Sequence, residues 1–163
     1  MSTIKSFDPE FLETRDLHRL LLSAVAPRPI AFASTIDAKG NVNLSPFSYF
    51  NVFSSNPPIL IFSPSRRVRD NTTKHTLQNA EETKEVVINM VDYSIVEQMS
   101  KSSNEYAKGV NEFTETGLTE VSSLKVKPPR VLESPVSFEC VVDNIISLGE
   151  NGGAGQLVIA KVV

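Results

Sequence analysis

Residues 59–74 read Ile-Leu-Ile-Phe-Ser-Pro-Ser-Arg-Arg-Val-Arg-Asp-Asn-Thr-Thr-Lys, and they contain the most informative change of pattern in the chain. The continuous apolar run over 59–62 has the length of a buried strand, and Ser63-Pro64-Ser65 ends it. Residues 70–72 are all of capping type, and the absence of Gly and Pro predicts a helix over 72–85. A strand, a cationic turn and a helix are therefore predicted in succession.

This junction has the chemistry of an anion-binding site. The start of a helix presents free N–H groups and the positive end of its dipole, which favours an anionic group. Hydroxyl donors and cationic side chains surround the predicted start of the helix. They are Ser63, Ser65, Arg69, Thr72, Thr73 and Lys74. Two interpretations follow from the pattern alone: a phosphate-binding site, or a solvated basic turn with an ordinary helix cap.

A second stretch, residues 43–51, mixes small, polar and aromatic side chains where a simple strand would alternate. Pro46 removes a hydrogen-bond donor from the strand and frees nearby backbone groups for other partners. Aromatic side chains together with backbone polar groups suit a planar heterocycle. The other interpretation is an edge strand with a bulge and core aromatics. The candidate binding residues in this stretch are Ser45, Pro46, Phe47, Ser48 and Asn51.

Arg28 is a third candidate, because prolines at positions 27 and 29 restrict the backbone on both sides of it. Its guanidinium can bind an anionic ligand or pair with a surface carboxylate.

The remaining pattern predicts a mainly β fold. Apolar runs or alternating patterns that indicate strands occur at 30–36, 42–45, 49–53, 59–62, 86–91, 136–146 and 157–163. Helices are expected around Leu17 to Val25, over 72–85 and over 93–106, and 109–134 reads as a long loop with a helical turn near Phe113. We therefore expect one domain over residues 1–163, a β-barrel with two or three helical additions. The chain stops inside an apolar strand, so we expect it to be the N-terminal part of a longer protein.

Composition excludes several classes of protein. With 163 residues, 40% of them hydrophobic, the chain is long enough for a core of its own. A single cysteine cannot form an intrachain disulfide, and one cysteine with two histidines makes a zinc site improbable. The N-terminus is not a signal peptide and no window is apolar enough to span a bilayer, so we expect a cytoplasmic protein without membrane contact. A net charge of −3 argues against non-specific nucleic-acid binding.

Several weaker signals have ordinary structural explanations. Cys140 alternates with apolar residues and is expected in the core, and the glycines at 152–155 are expected in a hairpin turn. His75 is expected at an exposed helix position. No catalytic residue can be assigned, because two histidines without geometry do not define an acid–base arrangement. Redox chemistry through a flavin needs no such arrangement, since the cofactor carries the electrons.

Over about residues 25–163 the sequence resembles the flavin reductase-like family, whose fold is the FMN-binding split barrel of Greek-key type. The order and spacing of several motifs carry the resemblance. They are Arg28-Pro29-Ile30-Ala31, the turn 37–40, Ser45 to Asn51, Ser55-Asn56-Pro57-Pro58, the serines that end the strand at 59–62, Arg69 to Thr73, and Ile88-Asn89.

The resemblance implies a homodimer that binds FMN non-covalently near the subunit interface and accepts hydride from NAD(P)H. In the family, the segment that matches Ser45 to Ser48 lies along the isoalloxazine ring. Positions matching Ser63, Ser65, Arg69, Thr73 and Lys74 would hold the ribityl chain and phosphate. A separate oxygenase that accepts the reduced flavin is a further partner consistent with this chemistry.

This sequence departs from the family in one region. Many members carry a Gly-Asp-His-like sequence before the last strands, with the histidine beside the nicotinamide. Here the matching region is Gly153-Ala154-Gly155-Gln156. This difference keeps a second function open, an FMN-binding carrier or sensor module that does not oxidise a nicotinamide. A third hypothesis, nucleic-acid binding through the arginines of 66–69 and Lys74, conflicts with the net charge and the lack of interleaved aromatic residues.

Overall fold

Seven antiparallel strands form one sheet in the computed structural model, which describes residues 4–163. In spatial order the strands are β2 (Val42–Phe47), β1 (Ala31–Ile36), β5 (Glu85–Asn89), β8 (Ser137–Ser147), β9 (Gln156–Val162), β4 (Pro58–Phe62) and β3 (Phe50–Ser55). Two further strands, β6 (Glu120–Val121) and β7 (Arg130–Val131), pair with each other outside this sheet. The expectation of a mainly β protein is confirmed.

The sheet curls because its two edge strands are consecutive in the chain. β2 and β3 lie at opposite ends of the strand order, yet only Ser48 and Tyr49 connect them. A connection of two residues can span about 11 Å at most. The edges must therefore approach each other at this connection, and a bond from the Ser63 backbone N–H to the Tyr49 carbonyl (2.9 Å) ties β4 to it.

Four α-helices occur in residues 4–163, one more than the upper number expected, with 3₁₀ turns at Pro9–Phe11 and Tyr93–Ile95. The helices are α1 (Thr14–Ala24), α2 (His75–Thr83), α3 (Val96–Ser102) and α4 (Glu112–Thr116). None of these helices is long and apolar enough to cross a membrane.

α2 begins three residues later than the sequence predicts. Asp70 caps a turn instead of the helix, since its carboxylate accepts hydrogen bonds from the backbone N–H (3.0 Å) and hydroxyl (2.6 Å) of Thr72. The left-handed conformation of Asn71 (φ 56°) keeps the chain out of a helix there. Lys74 consequently occupies the N-cap position, without a side-chain cap.

The helix predicted over 93–106 is also shorter, because it consists of the 3₁₀ turn and α3 and ends at Ser102. The helical turn expected near Phe113 is α4. The side chain of Asn111 accepts from the Phe113 N–H at its start, and Gly117 ends it in the left-handed conformation (φ 75°). The strands β6 and β7 were not expected, because two-residue strands leave no periodic pattern.

The core lies inside the curled sheet and beneath α2. Phe62, Ile88 and Cys140 are fully buried there. The Phe62 ring packs against the Phe47 ring, with a distance of 5.5 Å between the two ring centroids. Burial raises the pKa of the Cys140 thiol to about 12, so this side chain is a small core residue, as expected, and not a nucleophile. A second cluster, which includes Phe32 and Phe113, lies between the sheet and helices α3 and α4.

Phe62→Ala is expected to lower the free energy of unfolding by about 3–5 kcal/mol, because it leaves a cavity in the core next to Phe47. Urea unfolding monitored by circular dichroism measures the loss. Phe11→Ala is the matched control, since this ring is 85% exposed, and it should change the stability by less than about 0.5 kcal/mol. Equal losses in the two variants would contradict the position of Phe62 in the core.

Candidate active site

A cleft of about 530 Å³ opens where the edges of the sheet meet. Its floor comes from the end of β2 and the Ser48–Tyr49 connection, and one end is formed by the loop after β4, residues 63–74, here called the cationic loop. Helix α1 lies along the other side. Seven of the eleven candidate residues line this cleft: Pro46, Phe47, Ser48, Ser63, Ser65, Arg69 and Lys74.

The other four candidates lie outside the cleft. Ser45 lines a smaller pocket next to it, and Thr73 accepts hydrogen bonds from Arg67 and Gln78 inside the cationic loop and α2. Asn51 is exposed on β3, where its side chain accepts from the adjacent backbone N–H of residue 52. Arg28 has no carboxylate partner among residues 4–163, and its guanidinium donates to backbone carbonyls at the end of α1.

The structure bears on the second interpretation of residues 43–51, which is correct in part. β2 is an edge strand, as Pro46 requires, and the Phe47 ring lies in the core. The pairing of β1 with β2 shows no bulge, in contrast to the second interpretation. Phe47 lines the cleft although it is largely buried, so most of its ring belongs to the core.

Two arginines of the cationic loop stabilise the loop itself. Arg66 donates to the side chain (2.7 Å) and carbonyl (2.6 Å) of Asn71, and Arg67 donates to Thr72 Oγ1 (3.0 Å) and the Thr73 carbonyl (2.7 Å). These bonds bend residues 66–73 into a closed turn and keep both guanidinium groups beside the cleft.

Arg69 is bound by two carboxylates at the rim of the cleft. Its guanidinium lies 3.0 Å from Asp70 Oδ2 and 2.8 Å from Glu105 Oε2, and these hydrogen bonds raise the pKa of Arg69. The Arg69 and Glu105 side chains are largely exposed and Asp70 is partly exposed, so the pairs are screened by solvent and add little stability. An incoming anion can therefore compete with Glu105 for Arg69 at low energetic cost.

Lys74 differs from the arginines. Its ammonium has no hydrogen-bond or ion-pair partner among residues 4–163, although the residue is half-buried and lines the cleft. Burial, together with the positive charge of Arg67, lowers the pKa of Lys74, and the negative charge of Glu105 opposes this shift in part. A partly desolvated cation that faces a cleft without an acceptor is well placed to bind an anionic ligand.

Ser63 adds a hydroxyl beside these cations. Its Oγ accepts a hydrogen bond from the Gln156 backbone N–H (3.0 Å), so its own proton can be donated to a ligand. The close approach of Gly155, where a Cβ would lie 2.9 Å from this oxygen, shows how tightly the last hairpin packs on the cationic loop.

The glycines at 152–155 form the turn between β8 and β9, which confirms the hairpin prediction. Backbone bonds join Arg66 to Ala154 (2.9 Å) and to Gly153 (3.0 Å), so the turn supports the cationic loop. A Cβ at Gly152 would lie 2.9 Å from the Val68 Cα, which explains the need for glycine there. Gln156 is buried and directs its amide to the Gly149 carbonyl, away from the cleft.

A large part of the cleft is not predicted by the sequence pattern. Its other wall consists of Thr14, Leu17, His18, Leu21 and Leu22 of α1, and Glu105 lies at the rim. The apolar spacing around Leu17 to Val25 predicted the helix but not what it would cover. His18 Nδ1 lies 3.1 Å from the Tyr49 hydroxyl, and the two rings meet edge to face with centroids 6.0 Å apart.

The curled sheet is a split barrel. The flavin reductase like domain model matches residues 23–163, and the chain belongs to this family. A protein of Aquifex aeolicus is 48% identical over 124 residues, which are 76% of this chain and 63% of that protein. The present chain thus spans less than two thirds of that relative's length.

Solved structures agree with this assignment. Nitrilotriacetate monooxygenase component B from Bacillus cereus superposes with a TM-score of 0.93 at 31% identity, over 100% of this chain and 81% of that one. A split barrel domain protein from Shewanella frigidimarina superposes with a TM-score of 0.78 at 30% identity, over 98% and 78% of the two chains. The family and these structures support a flavin-related oxidoreductase.

A small polar pocket of about 50 Å³ lies behind Ser45 and Lys74, next to the cleft. Glu112 of α4 is buried at this pocket and accepts a hydrogen bond from the Leu44 N–H at 3.0 Å. Burial raises the pKa of Glu112, and the Leu44 hydrogen bond opposes this effect. His75 also lines the pocket and is half-buried, so the expectation of an exposed position is wrong, and burial lowers its pKa.

Glu112→Gln is expected to become more stable relative to the parent chain as the pH rises above 4.5, the ordinary pKa of this side chain. In the unfolded chain Glu112 loses its proton at a lower pH than in the folded chain, so ionisation favours unfolding until the pH exceeds the folded pKa. Glutamine keeps the acceptor for Leu44 without the charge. Urea unfolding at pH 4 and pH 7 measures the difference.

Glu115→Gln, an exposed position on the same helix, is the control and should show no such trend. A Glu112→Gln variant that loses stability relative to the parent between pH 4 and pH 7 would show that the charged form is favoured at this site.

Proposed function

We propose that this chain binds FMN non-covalently in the cleft and transfers hydride to it from NAD(P)H. The observation that supports FMN most directly is the half-buried Lys74, which lies next to Ser63 and Arg69 and has no partner among residues 4–163. FMN combines a planar ring system with a phosphate dianion, and the cleft combines a floor of residues 46–49 with this cationic end. When bound, the flavin supplies the redox chemistry by accepting hydride and later passing on its electrons.

Each part of the cleft has a distinct role in this proposal. Backbone atoms of Pro46 to Ser48 lie along the ring, and Ser63 and Ser65 donate to the ribityl chain or phosphate. Lys74 binds the phosphate directly. Arg69 also binds the phosphate, but its guanidinium must first release the Glu105 carboxylate, because the same guanidinium makes both interactions.

Thr73 contributes to phosphate binding indirectly, through the conformation of the cationic loop. The Thr73 carbonyl accepts from Arg67, and this bond keeps the backbone of the cationic loop in the conformation that would bind the phosphate. Ser45 lies one residue behind the floor, at the polar pocket, and supports the ring segment from there.

We further propose that the working form is a homodimer. The edge strand β3 exposes Val52 and Phe53, which are 61% and 63% accessible, and a second copy would cover these side chains. Asn51 on the same strand is exposed and outside this chain's cleft, so it would contact the flavin of the partner copy. Arg28 would act indirectly, by holding α1.

A separate oxygenase is the proposed acceptor of the reduced flavin. The Bacillus cereus structure, a monooxygenase component B at 31% identity, supports this proposal. An alternative function is a flavin carrier or sensor without nicotinamide oxidation. The buried Gln156 favours this alternative, because its amide is bonded to Gly149 and offers no group to a nicotinamide.

Lys74→Ala is expected to weaken FMN binding by about 1.5–3 kcal/mol, as is typical for hydrogen bonds to charged groups. Arg69→Ala should lose less, because its guanidinium is exposed and must first leave Glu105 and Asp70. Titration of the apoprotein with FMN, followed by the quenching of flavin fluorescence, measures both losses. Lys39→Ala, an exposed lysine in the β1–β2 turn, is the matched control. Parent-like affinity in Lys74→Ala would contradict the phosphate assignment.

Stopped-flow mixing of the FMN-loaded protein with NADH or NADPH separates the reductase from the carrier. The proposed reductase bleaches the flavin absorbance near 450 nm within about a second, in keeping with ordinary turnover numbers. Dithionite should bleach the same sample and serves as the control for reducible flavin. Bound flavin that dithionite reduces but neither nucleotide does would contradict nicotinamide oxidation and favour the carrier.

A further inference from the structure

Helix α1 covers one side of the cleft although none of its residues is buried. Leu17 and Leu22 are half-buried and Leu21 is exposed, so apolar packing alone holds the helix weakly. A helix of 11 residues is also marginally stable in water on its own. The position of α1 therefore depends on a few specific contacts.

Two contacts attach α1 to the rest of the molecule, and a third stabilises its C-terminal end locally. At its start, Thr14 lies against Gly153, where a Cβ would come within 2.7 Å of the threonine Cγ2. At its end, Arg28 donates to the carbonyls of Leu22 (2.6 Å) and Val25. In the middle, the imidazole of His18 and the hydroxyl of Tyr49 form the only side-chain hydrogen bond between α1 and the floor of the cleft among residues 4–163.

Tyr49, the partner of His18, is held in place by the strands on both sides of it. It belongs to the two-residue connection between the edge strands, and its carbonyl accepts from the Ser63 N–H at 2.9 Å. His18 is carried by the more weakly held element. The His18–Tyr49 pair therefore joins α1 to the connection between the edge strands.

We infer that α1 is the cover of the flavin ring and that the His18–Tyr49 pair sets how often this cover opens. This inference rests on the proposed function, because it takes the ring to lie on Pro46 to Ser48, opposite α1. His18 and Tyr49 are then positioning residues, which act through the helix. Their effect is on the retention of flavin and on the access of the second reactant to the ring.

The surface that α1 turns to the cleft also limits what can enter beside the ring. Its lining residues are three leucines, Thr14 and His18, without a carboxylate, lysine or arginine. A flat, weakly polar group, such as a reduced nicotinamide ring or an aromatic acceptor, suits this wall. Strongly hydrated anionic groups are expected to stay at the cationic loop or in solvent.

Hydrogen–deuterium exchange of the α1 amides, with and without FMN, tests the inference on the whole chain. Tyr49→Phe removes the hydroxyl and keeps the ring, and it should speed exchange in α1 about fivefold without ligand, as for one ordinary hydrogen bond. FMN should slow this exchange in the parent. Tyr93→Phe, at a residue that is 93% exposed and outside the cleft, is the control and should match the parent.

A double-mutant cycle adds a readout that general destabilisation would not reproduce. Tyr49→Phe and His18→Leu should each raise the dissociation rate of FMN about fivefold, and the double variant should raise it no further. Additive effects, or α1 exchange in Tyr49→Phe equal to that of the parent, would overturn the role of the pair. FMN that binds without protecting α1 would overturn the cover.

The two proposals can fail separately. If the parent chain does not bind FMN, the proposed function is wrong, and so is the inference that α1 covers a flavin ring. The exchange of α1 without ligand still decides whether the His18–Tyr49 pair holds the helix.

Discussion

Two residues, Ser48 and Tyr49, join strands that lie at opposite edges of the same sheet. This short connection forces the sheet to curl until its edges nearly meet, and the cleft lies at that meeting point. The end of β2 and the end of β4 therefore arrive side by side, with Phe47 packed on Phe62 beneath them. The floor of the cleft and its cationic end are both consequences of this closure.

The cleft carries a local positive charge, whereas the whole chain has a net negative charge. The protein carries a net charge of −3, yet Arg66, Arg67, Arg69 and Lys74 gather within nine residues of sequence. Glu105 and Asp70 compensate Arg69 at the solvent side, and Lys74 is left without an acceptor among residues 4–163. Such an arrangement suits one compact anion in the cleft and not an extended polyanion along the surface.

The sequence was most informative where the chemistry is local. The run at 59–62, the serines after it and the glycine turn at 152–155 are recognisable from neighbouring residues, and all of them lie where the pattern predicted. The start of α2 was not predictable, because Asp70 caps either a helix or a turn and bonds within the cationic loop decide between them. The placement of α1 and Glu105 depends on contacts more than thirty residues apart, such as His18–Tyr49 and Arg69–Glu105, which leave no periodic signal.

The central claim is that the cleft binds a flavin through its phosphate. The most direct test compares FMN with riboflavin, which has the same ring and ribityl chain but no phosphate. Equilibrium titration of the apoprotein with each ligand should show FMN bound about 10- to 150-fold more tightly, the equivalent of one charge-assisted hydrogen bond. The preference should largely disappear in Lys74→Ala. Equal affinity for the two ligands, or binding of neither, would contradict the claim.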